Sequence, residues 1–311
     1  MAIVGCQVDE SRVDGDPEKM RRDLERFVEI GLQAAEISVE GVDAIRNGKP
    51  DQHRFSQCRE ILDSFELLYS VHAPIPLNLM DDDAALHMEV LRACLLFCEE
   101  IGAHALVYHP GRFLAEDVFA VKRGSLTDGK KRKMMHNEAE SLREVADEYR
   151  NVTICMETAR PYLKYSPYCY AERPDRLFEQ AHQIDRKNVR LTLDVGHLYM
   201  ASKFYGFDPV AAVRDMRGMI AHTHVHDNFG RSVFPQEKLQ TQLVPFGRGD
   251  MHMPVGWGCA PIKDMLAEYA DNYHGMYMME LRSRYIMHAE ESFKNLSFII
   301  SSIEEDTNAT N

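Results

Sequence analysis

The feature that most constrains this chain is a rhythm in which short apolar runs rich in Ile, Val and Leu alternate, about eight times, with longer stretches of helical period. The runs are Ile3–Val8, Ala34–Val39, Leu67–His72, Ala105–His109, Val152–Glu157, Val189–Asp194, Ile220–His226 and Met276–Leu281. Strands joined by helices must run parallel, and eight such units close a barrel. The expected fold class is therefore α/β, a single (β/α)8 TIM barrel over residues 1–303, with a polar, frayed tail at 304–311. No Gly-x-Gly-x-x-Gly follows the first run and no Walker-type loop occurs, which removes the usual reasons to prefer a dinucleotide or ATP fold.

Helical faces and starts can be read locally. Leu86, Val90, Cys94, Phe97 and Ile101 fall on one face at i, i+3, i+4 spacing, as do Met20, Leu24, Phe27 and Val28. Asp16-Pro17 and Asp208-Pro209 each supply an N-cap followed by proline at the first helical position. Two long connections, Phe113–Lys133 and Phe229–Ala260, are candidate lids over the strand ends.

Composition narrows the partners. With 45% hydrophobic and 27% charged residues the chain is of ordinary globular type. A net charge of -13 repels phosphate backbones and anionic lipid, so nucleic acid is not an expected partner. The seven scattered cysteines form no C-x-x-C pair and read as reduced thiols. The N-terminus lacks a basic leader and no apolar stretch has the length of a membrane span, so the expected location is cytoplasmic.

In a barrel of this kind, function gathers where strands end and the following loops begin. Here those positions carry His72 in Ser-Val-His-Ala-Pro, His109 in Val-Tyr-His-Pro-Gly-Arg, Glu157 in Ile-Cys-Met-Glu-Thr, and Asp194 with His197 in Leu-Asp-Val-Gly-His. They continue with His222, His224 and His226 in Ala-His-Thr-His-Val-His-Asp-Asn, and Glu280 in Met-Met-Glu-Leu-Arg. Alternation along a strand puts the three imidazoles of the seventh run on one side. A lone histidine at a strand end is more often a hydrogen-bonded loop residue than a ligand. A carboxylate closing an apolar strand is different, because desolvation costs several kcal/mol unless it meets a cation. An Arg or Lys can be that cation. Three such carboxylates beside a histidine cluster make a divalent metal the cheaper explanation.

The ordered set Val-His-Ala-Pro, His-Pro-Gly, Met-Glu-Thr, Leu-Asp-Val-Gly-His, His-Val-His-Asp-Asn, Gly-x-Gly-Asp and Glu-Leu, running from about Ile3 to Ile300, resembles the xylose isomerase-like TIM barrel superfamily. That superfamily includes sugar isomerases and epimerases and, as a related branch, the endonuclease IV group. The resemblance implies one divalent ion (Mn, Zn, Co or Mg) held by Glu157, Asp194, His224 and Glu280, with His224 filling the ligand position of a His-x-x-Asp pattern. In the endonuclease branch the histidines matching His72, His109 and His197 hold further zinc ions. That branch also has an Asp-x-His pair before Gly-x-Gly, a place occupied here by Thr241-Gln242-Leu243-Val244. A full trinuclear site is therefore not expected, unless Asp250 and His252 substitute in a shifted register. His72, His109, His226, Asp250 and His252 stand as candidates for a second metal or for substrate.

The reaction these groups can run is proton transfer. A cation chelated by a ketose carbonyl and its neighbouring hydroxyl acidifies the adjacent C–H. Glu157 and Glu280, from opposite sides of the mouth, can then abstract and return a proton through a metal-stabilised enediolate, with His197 orienting a substrate oxygen. The expected function is a metal-dependent isomerase or epimerase on a small sugar, keto-sugar or polyol-derived acid. Alternatives are a lyase or dehydratase sharing the same intermediate, a zinc phosphodiesterase on abasic DNA, and a non-catalytic barrel subunit. Arg112, Arg160, Arg248 and Arg282 lie close to mouth motifs and suit an anionic substrate group, or else neutralise loop carboxylates. Trp257 can stack on a sugar face or pack its own loop. Self-association of the barrel is compatible with all of these readings.

Overall fold

A computed structural model of the 311-residue chain describes residues 2–115, 119, 126–234 and 241–310. The eight apolar runs form β1 (Ile3–Val8), β2 (Ala34–Ser38), β3 (Leu68–His72), β4 (Ala105–Tyr108), β5 (Thr153–Glu157), β6 (Val189–Asp194), β7 (Ile220–Val225) and β8 (Met276–Met279). All pair in parallel and close as β1-β8-β7-β6-β5-β4-β3-β2, a (β/α)8 barrel. β4, β7 and β8 each stop just short of the polar residue that sequence places at their ends. His109, His226 and Glu280 thus open loops, as mouth residues should.

Around the barrel lie α1 (Pro17–Glu29), α2 (Gln52–Leu62), α3 (Ala84–Ile101), α4 (Asp128–Glu148), α5 (Pro174–Ile184), α6 (Val195–Tyr205), α7 (Pro209–Met216), α8 (Ile262–Ala267) and α9 (Ala289–Thr310). Both Asp-Pro starts are real: Asp16 accepts from the Glu18 amide and Asp208 from that of Val210. Met20, Leu24 and Phe27 of α1 are fully buried, whereas Val28, expected on the same face, is 48% exposed. At 100° per residue it lies one step past the edge of the stripe that the barrel covers. In α3, Cys94, Phe97 and Ile101 are buried, while Leu86 and Val90 are only partly covered. All seven cysteines are free thiols, six of them buried.

Two expectations need revision. Residues 304–310, read as a frayed tail, continue α9, tied down by Lys263 on Asp306 (2.9 Å) and Thr307 on Asp271 (3.2 Å). The first candidate lid is shorter than the sequence suggests, because α4 already begins at Asp128, capped by Thr127. Parts of both candidate lids, residues 116–118, 120–125 and 235–240, lie outside the described residues. Among the described residues no helix is long and apolar enough to cross a membrane.

The barrel leaves no spare volume at Gly5 in β1, where an added Cβ would lie 2.6 Å from the Ala34 carbonyl oxygen and 2.7 Å from Met278 Sδ. The first of these atoms is backbone and cannot swing aside. Gly5→Ala is expected to cost about 1–3 kcal/mol by overpacking, read as a fall of several degrees in the thermal midpoint; an unchanged midpoint would show that β1 and β2 can separate.

Candidate metal centre

The carboxyl ends of β5, β6, β7 and β8 deliver Glu157, Asp194, His224 and Glu280 into one buried cluster, with one potential ligand atom from each lying within 4.8 Å of the others. His224 Nδ1 is the hub, 2.9 Å from Glu157 Oε1, 3.4 Å from Glu280 Oε2 and 3.9 Å from Asp194 Oδ2. Asp194 closes β6 and also starts α6: its Oδ1 accepts from the His197 amide at 2.6 Å, while the carboxylate faces His226 Nε2 at 3.1 Å. Gly196 permits this, since a Cβ there would lie 2.0 Å from His226 Cε1.

Two further clusters flank the first. His72 and His109 face Glu157, with His109 Nε2 2.6 Å from Oε2. On the other side His197, His226, Asp250 and His252 converge, and both His197 Nε2 (3.2 Å) and His252 Nε2 (2.9 Å) approach Asp250 Oδ2. The fold therefore brings together the histidines and carboxylates singled out from the sequence at this end, including the Asp250–His252 pair in its shifted register, with the exception of His222, which lies deeper in the barrel. The arginines and the tryptophan divide. Arg160 is buried in the second flanking cluster, 3.0 Å from Asp250, and Arg112 is buried beside His109 Nδ1 (3.4 Å). Arg282 lines the open cleft; Arg248 does not line it. Trp257 sits away from the cleft, donating to Glu291 (2.9 Å) and packing on Tyr285 and His288, so it ties its loop to the segment that follows β8.

Sequence reasoning missed Glu36, which is fully buried in β2. It accepts from Ser70 Oγ (2.8 Å), pairs with His222 Nε2 (2.9 Å) and lies 2.9 Å from His224 Nε2, directly beneath the hub. A carboxylate inside the apolar run Ala-Ala-Glu-Ile-Ser was the available signal. Its position in mid-strand, away from the loops, sets it apart from the strand-end pattern. With Glu36 below it, His222 belongs to the barrel interior, and of the histidines at 222, 224 and 226 His224 alone is part of the main cluster.

The donor set fits a divalent cation. Buried Glu157 Oε2, Glu280 Oε2 and His72 Nε2 make no hydrogen bond, and His109 approaches Glu157 off the line that such a bond needs. Several oxygens and imidazoles aimed at a shared point, each short of a partner, are what a bound ion satisfies. His72, His197 and His252 place Nδ1 on the backbone carbonyls of Ala73 (2.7 Å), Thr158 (3.0 Å) and Glu280 (3.0 Å), leaving Nε2 to point inward, the usual arrangement behind a metal-ligating imidazole.

Charges inside the cluster hold one another. Burial disfavours ionised Glu157, but His109 and His224 outweigh it and hold the carboxyl well below its usual range. Glu280 is held low in the same way by His252 and His224. Burial lowers His109 to about 4, with His72 and Arg112 adding to the effect and Glu157 opposing it. His197 goes the other way: burial pushes it down, yet Asp194 and Asp250 raise it to about 9.

The chain belongs to the xylose isomerase-like TIM barrel family, whose model matches residues 24–301. It is 25% identical over 221 residues to the uncharacterized protein MJ1311 of Methanocaldococcus jannaschii, covering 69% of this chain and 68% of that one. Among solved structures, a D-tagatose 3-epimerase-like protein superposes with a TM-score of 0.72 at 21% identity, over 98% of this chain and 99% of the other. An L-ribulose 3-epimerase superposes with a TM-score of 0.71 at 13% identity, over 100% and 98%. At these identities the structural likeness establishes the fold.

The titration of His197 gives a test in chelator-treated protein. Its folded pKa of about 9 lies above the ordinary value of 6.5, so its contribution is fully present below pH 6.5 and is lost as pH rises through 9. The thermal midpoint is expected to fall between pH 7 and 10, and His197→Gln should flatten that slope; parallel slopes would remove His197 as the cause.

Proposed function

We propose that this chain is a divalent-metal-dependent isomerase or epimerase acting on a small sugar or keto-sugar by carboxylate proton transfer. The observation that carries the reading is the pair Glu157 and Glu280, lying 2.9 Å and 3.4 Å from His224 Nδ1 yet delivered from different sides of the mouth, by β5 and by the loop after β8. Glu157, Asp194, His224 and Glu280 would hold the cation, which when bound polarises a carbonyl oxygen and acidifies the neighbouring C–H. Both carboxyls are held in the charged form, so either can take a proton on its own side, and its opposite number serves the other face. His197 and Arg160 offer hydrogen-bonding groups to substrate oxygens along the same wall.

The cleft beside the cluster has a volume of about 320 Å³ and is lined by polar groups from Gln7, Asp9, Ser38 and Arg282, by Glu280 of the main cluster and by members of both flanking clusters. That is room for a monosaccharide-sized polyol and is too small for a duplex. The names of the superposed proteins, a D-tagatose 3-epimerase-like protein and an L-ribulose 3-epimerase, support the same class of substrate. A second reading, hydrolysis of a phosphoester at a two- or three-metal centre, is favoured by one observation: both flanking clusters adjoin the main one, the first sharing Glu157 with it and the second meeting it where His226 faces Asp194.

Incubation with a panel of ketohexoses in deuterated water should give an epimer or isomer carrying deuterium at the inverted or transposed carbon. Glu157→Gln and Glu280→Gln should each lower kcat by about 10²–10⁴-fold. Turnover without deuterium uptake, or full activity in both variants, would remove proton transfer by these groups.

A further inference from the structure

The cluster His197–His226–Asp250–His252 has the composition of a second metal site, and its imidazoles are already turned for one. His197 and His252 rest Nδ1 on backbone carbonyls and direct Nε2 at the same oxygen, Asp250 Oδ2. That oxygen is already engaged by a cation. Arg160, 7% exposed, places Nε 3.0 Å from Asp250 Oδ2 and Nη1 3.3 Å from His197 Nε2. The guanidinium therefore touches two of the atoms a second ion would need. It carries a charge that no accessible pH removes.

We propose that Arg160 is a built-in cation that closes this flanking cluster to a second metal and keeps the centre mononuclear. The inference rests on the reading of the main cluster as a single-metal site and deepens it, since one ion between two carboxylates suits proton transfer. A guanidinium neutralises Asp250 as an ion would, but it offers only N–H donors and no open coordination position to activate water. Its position on the cleft wall leaves it able to meet a substrate oxygen while repelling a dication.

The test is zinc stoichiometry by inductively coupled plasma mass spectrometry on the full chain, stripped with chelator, reloaded with zinc and desalted. The wild type should retain one zinc per chain, Arg160→Met two, Arg160→Lys one, and Arg160→Met/Asp250→Asn one again. Arg160→Gln serves beside Arg160→Met should the latter not fold, as judged by circular dichroism. Equal zinc in wild type and both neutral variants overturns the proposal, as do two or more zincs in the wild type, or an added zinc that survives Asp250→Asn. A wild type that retains none, beside an Arg160→Met that retains one through Asp250, would sink the single-metal reading while leaving the role of Arg160 standing.

Discussion

The structure turns on one electrostatic constraint: buried carboxylates at the mouth of a closed barrel must be matched by positive charge or by donors at short range. Glu36, Glu157, Asp194 and Asp250 are each at most 3% exposed, and Glu280 is 9% exposed. Unpaired, each would cost several kcal/mol in desolvation. The histidines of β3, β7, the first turn of α6 and the mouth loops supply the match, and backbone carbonyls just past strand ends orient three of them, His72, His197 and His252. Strand geometry, loop geometry and charge therefore specify one another. The interior of this barrel is accordingly more polar than the branched aliphatic layers usual in the fold, with Glu36, Ser70 and His222 forming a hydrogen-bonded layer beneath the main cluster.

Much of the architecture was legible in the sequence because the periodicities of strand and helix differ and the chain keeps them separate. Every barrel strand lies within or on its predicted run, and both Asp-Pro helix starts are caps. Helix ends were less legible. Residues 304–310 are polar enough to read as a tail, and only the long-range contacts of Asp306 and Thr307 show what anchors them. Val28 shows the same limit, since periodicity assigns a face but the barrel decides how wide a stripe it covers.

At the site, residue type was legible and partnership was not. Apolar strands ending in Glu, Asp or His announce a mouth rich in ligand-type groups, but spacing could not say that Asp250 and His252 reach His197 across a loop. Nor could it separate the arginines. Arg112 and Arg160 fold inward against His109 and Asp250, Arg282 faces the cleft, and Trp257 turns to Glu291. Glu36 escaped because attention to strand ends overlooks the strand middle, where a buried charge is just as costly.

Asp194 carries a consequence for any mutational survey of this chain. One carboxylate ends β6, caps α6 through the His197 amide and faces His226 in the mouth. Removing it takes away a helix cap worth about 0.5–2 kcal/mol together with a mouth charge. Dose-response reasoning that ranks residues by lost turnover will therefore place Asp194 among the most essential positions whatever its part in chemistry. Only a paired readout, abundance against specific activity, separates the hinge pin from the tool it holds.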